Sequence, residues 1–252
     1  MSTYGNNLLA QYYAQSSLSA KSYVQDGLVG MWDGIENAGW GIHDANAQNW
    51  VNLAGASLGN ANLMAGIRTW SKDGLSVVGG TDRWSIYVGT WFNSRENYTV
   101  EVVIAPNSWH NAAGGNRILS NSNSGGMVIR FQADQMQYMV QKYIDGYISS
   151  RKSTDDALAK TSLALLSSNI EVAIGYNGVV ANHTTFTRGT IKGGSSYLAI
   201  SYEPDSSGNM ENIGTYGAMN GVFHAIRIYS KTLSAEELAH NYRIDRIRFN
   251  LP

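Results

Sequence analysis

A chain of 252 residues is long enough to bury ~75 % of its extended surface around one substantial core. Its 18 basic residues nearly balance 19 acidic ones, so it offers no clustered cationic field for nucleic acid or an anionic membrane. It has no cysteine, which excludes disulfides, thiolate metal sites and cysteine nucleophiles together.

The first residues, Met1 to Asn7, carry neither a charged n-region nor an apolar h-region, so no secretory signal is read there. No apolar run approaches the ~18 residues that would cross a bilayer. Residues 1–26 stand apart as an N-terminal arm. Within it Leu8, Leu9, Tyr12 and Tyr13 recur at helical spacing. Two readings stay open: a weak helix lying on the domain, or an arm whose apolar side chains dock on a partner or on copies of the same chain. Residues 27–252 are expected to form a single domain.

From residue 27 onward strand patterns dominate. Trp84 to Val88 alternates, as does Tyr98 to Ile104, with Val100, Val102 and Ile104 predicted to face inward and Glu101 outward. Met127, Ile129 and Phe131 form the next buried row, with Arg130 and Gln132 opposite. Asp145-Gly146 and Asn177-Gly178 each stand between two strand patterns and predict tight hairpins. Leu158 to Leu166 reads either as a short helix or as a loop followed by an apolar strand. Tyr197 to Tyr202 is another strand, and Asn121 to Gly126 a connection. In the last strand Val222, His224, Ile226 and Ile228 share one face, with Arg227 and Tyr229 on the other. A short helix follows. Ser234 and Glu237 have capping-box spacing, Leu233 and Leu238 occupy staple positions, and His240 and Arg243 close the helix. Many short strands, 27 glycines and only 3 prolines favour a sandwich or barrel over any βαβ arrangement.

Two segments carry a resemblance. The run Ile226-Arg227-Ile228-Tyr229, then Leu233 to Leu238 and Asn241-Tyr242, resembles the end of laminin-G-like, concanavalin-A-like jelly rolls. Asp26 to Gly34 and Trp50 to Gly55 look like the opening strand and the tryptophan–leucine segment of that family. The resemblance spans roughly residues 27 to 245 and implies an all-β, two-sheet antiparallel jelly-roll β-sandwich with a short C-terminal helix. The region from Gly27 to Gly55 is also similar to laminin-G-like proteins encoded in phages and prophages of gut bacteria.

Concanavalin-like sandwiches include glucanases, whose signature is two glutamates flanking an aspartate on one strand; such enzymes need two carboxylates facing across the sugar. No such run is present. Glu203-Pro204-Asp205 lacks its second glutamate, and proline does not suit a central strand. Gly55 to Gly59 matches G-x-S-x-G, but no helix of useful length is predicted after it, and the motif works only on a strand-to-helix elbow. The five histidines share no ligand spacing. The resemblance implies a possible calcium ion at the sandwich rim, for which Asp33, Asp44 and Asn46 are the candidate oxygen ligands. Trp32, Trp84 and Trp91 are expected in the core. Trp40, Trp50 and Trp109 lie in loops, and two glycan platforms are considered: Trp40 with His43 and Asp44, or Trp109 with His110 and Asn111. A tryptophan plugging the end of the sandwich is the competing reading.

The functional expectation is a non-enzymatic structural or decoration protein of a bacteriophage virion, in a fibre, tail or capsid, assembled in host cytoplasm and carrying a lectin-like domain for a host-surface glycan. The arm would join it to other virion proteins or to copies of itself. The alternatives are a secreted bacterial adhesin and, further off, a glycoside hydrolase or lyase with an unusual site. Fold resemblance alone does not decide among these.

Overall fold

The computed structural model describes residues 18–55, 57–110, 115–121, 125–187, 189–205 and 217–252. Strands come in chain order as β1 (Leu28–Asp33), β2 (Asn49–Trp50), β3 (Ala61–Ala65), β4 (Thr69–Ser71), β5 (Gly74–Val77) and β6 (Arg83–Tyr87). They continue as β7 (Tyr98–Trp109), β8 (Asn116–Ser120), β9 (Met127–Gln132), β10 (Gln137–Tyr143), β11 (Tyr147–Ser153) and β12 (Thr161–Ser167). The last are β13 (Glu171–Tyr176), β14 (Val179–Thr185), β15 (Tyr197–Ile200) and β16 (Gly217–Tyr229), followed by helix α1 (Ala235–Phe249).

These strands make two antiparallel layers of a jelly-roll sandwich. One layer runs β14-β13-β12-β7-β16, with β1 and β5 sharing the far edge of β16 and β4 beyond β5. The other runs β2-β3-β6-β15-β8-β9-β10-β11. The layers join where Gly217 and Ala218 pair in parallel with Asn116 and Arg117. Inward rows from both sheets build one core: Val100, Val102, Ile104, Leu163, Leu165, Ile226 and Ile228 face Trp84, Ile86, Ile129, Phe131, Leu198 and Ile200. Trp32, Trp50 and Trp84 are fully buried, and Trp70 meets Trp50 and Trp84 edge-on at 5.7 and 5.9 Å. The two predicted hairpins are present. Asn177 and Gly178 close a two-residue turn between paired Tyr176 and Val179, both at the positive φ such turns require. Asp145 and Gly146, also at positive φ, belong to the longer connection between paired Tyr143 and Tyr147. At Gly178 a β-carbon would also lie 2.6 Å from Tyr242 of α1, so a side chain there would push the helix away.

The outer face of the first layer is covered by α1 across β12, β7 and β16, while β14 at the edge stays exposed. Ser234 accepts from the Glu237 amide and Glu237 from the Ser234 amide, closing the predicted capping box. Leu233 and Leu238 pack with Ala164 and Leu166 of β12. That contact explains why Leu158 to Leu166 was ambiguous in sequence: β12 is buried along its whole length, and a strand covered on both faces loses its alternation.

Beneath the helix lies a buried network of charges. The Arg227 guanidinium donates through Nε to Glu101 at 2.8 Å, and through Nη1 and Nη2 to Asp245 at 2.8 and 2.7 Å. Asn241 donates to Glu101, and the Tyr23 hydroxyl to Asp245. Burial works against the charge on Arg227, but Asp245 and Glu101 hold its pKa well above the ordinary value.

Several expectations need correction here. Glu101 does face away from the core, but toward Arg227 under α1 rather than toward water. The short C-terminal helix is present. It passes His240 and Arg243 and ends at Phe249, with Asn250 in the left-handed cap position. A bulge between Phe223 and Ala225 breaks the alternation of β16, so Phe223 rather than Val222 joins the core and His224 turns to the outer face against Phe249. Residues 18–26, which precede β1, lie against the domain. Ala20 and Tyr23 are buried beside Met31 and Ile244, and Tyr23 packs its ring 4.2 Å from the Arg227 guanidinium. Leu8, Leu9, Tyr12 and Tyr13 lie outside the described residues.

Removing one member of a buried ion pair strands the others without compensation. Arg227→Ala should therefore destabilise the fold by about 3–5 kcal/mol, and Ser234→Ala by about 1 kcal/mol. Urea midpoints at neutral pH measure both.

Candidate functional site

The segment 34–48, between β1 and β2, forms a rim loop held from below by buried polar groups. Asp33 ends β1, and its Oδ1 accepts the amides of Ile35 and Glu36. Glu36 Oε1 accepts from the Ala20 amide and from Arg248 Nη2, while Oε2 accepts from the Gly41 amide at 2.8 Å. Asn37 and Asp44 exchange two hydrogen bonds of 2.8 Å. Trp50 and Trp70 donate their indole N–H groups to the carbonyls of Asp33 and Ala47. With its base so fixed, the loop turns Trp40, Ile42, His43, Asp44 and Asn46 outward. Trp40 is 39 % exposed, and the Lys21 ammonium stands 5.2 Å from its ring.

The structure separates the two candidate platforms. Trp40, His43 and Asp44 share this loop, with His43 Nδ1 donating to the Gly34 carbonyl and the Asp44 carboxylate accepting the Asn46 amide. Trp109 instead plugs the sandwich. It stacks on Phe131 at 4.5 Å and donates to the Ala157 carbonyl. His110 is exposed at the end of β7, and Asn111 lies outside the described residues. Trp50, a loop tryptophan in sequence, is core.

The proposed calcium ligands do not assemble a cage. Asp33 is fully buried and faces the Arg248 guanidinium at 2.8 Å, a fixed cation where a metal would have to sit. Burial pushes its pKa up to about 6, against the pull of Arg248. Asp44 and Asn46 remain as an exposed Asx turn. Among the described residues no three His, Cys, Asp or Glu side chains gather as metal ligands.

Other buried charged groups serve the scaffold. Glu203 accepts from Arg117 and Ser120. Lys142, which no sequence pattern singled out, donates to the carbonyls of Arg95 and Glu96 and to the Ser167 hydroxyl; burial lowers its pKa to about 8. Carboxylates come together at Asp33 with Glu36 and at Glu101 with Asp245, and each pair is bridged by a guanidinium. Such pairs are neutralised and closed to a substrate, unlike the open acid and nucleophile of a glycosidase. After Gly55 to Gly59 the chain enters β3, so the serine there sits on no strand-to-helix elbow.

No family model matches the sequence, and no curated protein does. Solved structures do match. A botulinum neurotoxin type C structure, whose cell entry depends on two ganglioside molecules, superposes with TM-score 0.65 at 13 % identity, over 89 % of this chain and 52 % of the other. The binding domain of botulinum neurotoxin DC, in complex with SialylT, matches with TM-score 0.65 at 12 % identity, over 89 % and 52 % of the two chains. Domain 4 of an extracellular GH43 arabinanase from Geobacillus stearothermophilus, in complex with arabinotriose, matches with TM-score 0.61 at 15 % identity, over 85 % and 98 %. The chain spans about half the length of the neurotoxin chains. At such identities the likeness establishes the class of fold: an all-β jelly-roll sandwich. It fixes no ligand.

His224 gives a pH test of the layer beside the rim. It is buried, donates Nδ1 to the Asp73 carbonyl and is faced by Asp73, Lys160 and Asp245; burial lowers its pKa. The unfolded chain protonates this histidine near ~6.5 while the fold still holds it neutral, so its contribution to stability is lost as pH falls below that value. The stability gap between wild type and His224→Gln should narrow from pH 7.5 to pH 5.0, read from urea midpoints.

Proposed function

We propose that this chain is a non-catalytic glycan-binding module of a bacteriophage virion, presenting the rim loop around Trp40 to a host-surface sugar. The observation that carries the binding reading is the exposed Trp40 indole on a loop whose base is locked by Glu36, Asn37 and the Asp33 turn. Sugar rings stack on a preorganised aromatic face, and His43, Asp44 and Asn46 beside it supply donors and acceptors for hydroxyls. Structures of the same fold solved with arabinotriose and with SialylT support this choice.

The virion reading rests on the similarity of the region from Gly27 to Gly55 to laminin-G-like phage proteins, on the lack of cysteine, and on the apolar positions Leu8, Leu9, Tyr12 and Tyr13. In this reading those positions dock the module on other virion proteins or on its own copies. The same module on a bacterial surface would be an adhesin, with unchanged rim chemistry.

A glycan array probed with wild type and Trp40→Ala tests the binding surface. The variant should fold normally and lose about tenfold in affinity, equivalent to about 1.4 kcal/mol. A chelator should leave the wild-type signal unchanged, because Arg248 holds the position beside Asp33 that a calcium ion would need. Product released from a polysaccharide, with no array signal, would replace this reading with an enzyme.

A further inference from the structure

A second concave feature lies where the β4–β5 turn, the start of β12 and the C-terminal end of α1 meet. It is a cleft of 440 Å³, with Leu18 and Ile35 as apolar walls and Lys72, Asp73, Lys160 and Arg248 as its charged lining. Three cations against one carboxylate is an unusual lining in a chain whose charge is balanced overall at 18 to 19. The cations are also under-used. Lys72 is exposed and makes no ion pair among the described residues. Lys160 gives one proton to the Phe249 carbonyl at 2.8 Å. Arg248 is 4 % exposed and engages Asp33 and Glu36 through Nη2 alone, while Nε and Nη1 have no hydrogen-bond partner and the guanidinium otherwise lies against the Tyr23 and Phe249 rings. Buried guanidinium donors without partners are costly and rare in folded proteins.

We infer that this cleft binds the carboxylate of an acidic sugar, with Lys72 and Lys160 meeting the anion, Arg248 backing it and Ile35 packing against the ring. The volume suits one or two sugar units. A mixed lining of ammonium groups, one carboxylate and short apolar walls matches a polyhydroxylated ligand with one negative charge. It would reject a purely apolar molecule, which leaves the ammonium groups unpaired, and a dianion would meet Asp73. This assignment rests on the glycan-binding reading but uses different residues from the Trp40 loop. The two surfaces share Glu36, whose carboxylate touches Gly41 on one side and Arg248 on the other.

Calorimetric titration of the full chain with methyl β-glucuronide, methyl β-glucoside and inorganic phosphate tests it. Expected are saturable glucuronide binding with Kd of about 1 mM, weakening as salt is raised, and none for the glucoside. Lys72→Glu, at an exposed position, should weaken the glucuronide at least tenfold, and Lys72→Ala combined with Lys160→Ala should abolish binding. Thermal melts of both variants verify that they fold, and Lys72→Glu stands alone as the test if the double variant does not. The inference is overturned by absent glucuronide binding, by equal binding of the glucoside, by binding unchanged in Lys72→Glu, or by phosphate binding without glucuronide binding. Trp40→Ala should leave the glucuronide titration unaltered. Array binding lost in that variant, alongside a silent titration, would sink the cleft and leave the rim reading standing.

Discussion

The structure turns on one guanidinium sealed between a sheet and a helix. Arg227 has no exposed surface and contacts both Glu101 on the neighbouring strand and Asp245 on α1. Desolvating such charges is unfavourable, and only good geometry with every donor used makes the arrangement tolerable. Here the geometry is met: all three nitrogens of the guanidinium donate, Asn241 serves Glu101, and Tyr23 serves Asp245. A fork-to-carboxylate pair has one orientation, whereas leucines against leucines would tolerate sliding. The ion pair therefore sets where α1 lies along the sheet, and Leu233 and Leu238 fill in around it.

A second cluster repeats the logic one turn nearer the end of α1. Arg248 joins the helix to Asp33 at the end of β1 and to Glu36 at the start of the rim loop. Glu36 then reaches the backbone beside Trp40 and the backbone of Ala20. A loop that carries an exposed tryptophan is thus tied to the buried charge network under α1. Binding loops on a rigid scaffold lose little conformational freedom when a ligand arrives. The same Arg248 lines the cleft, so rim and cleft are two outlets of one buried network.

Much of the sandwich was legible from residues 84 to 202, because antiparallel strands with one face in the core alternate cleanly. Met127, Ile129 and Phe131 are buried as the period required, and both predicted hairpin turns formed. The pattern failed where a strand is covered twice, as in β12, or bulged, as at His224. It also left open what Glu101 meets on the outer face and how far α1 runs past His240 and Arg243. The buried face of α1 includes Asn241, Asp245 and Arg248 beside Leu238 and Ile244, and polar residues in a buried stripe look like solvent in a periodicity count. Of the candidate site, Trp40, His43 and Asp44 were named from a loop rich in glycine and asparagine. Lys72, Lys160 and Arg248 were not, because successive members lie 88 residues apart in the chain and share no motif.

What the sequence by itself determined is local: strand alternation, turn chemistry at Asp145-Gly146 and Asn177-Gly178, and the capping box at Ser234, each decided by neighbours within a few residues. The tertiary structure alone decided which charges are buried, that Trp50 and Trp109 pack inward while Trp40 faces water, and where three distant cations meet. Those outcomes depend on which face of a strand another element covers, and coverage is a property of the packed chain that no short window of residues contains.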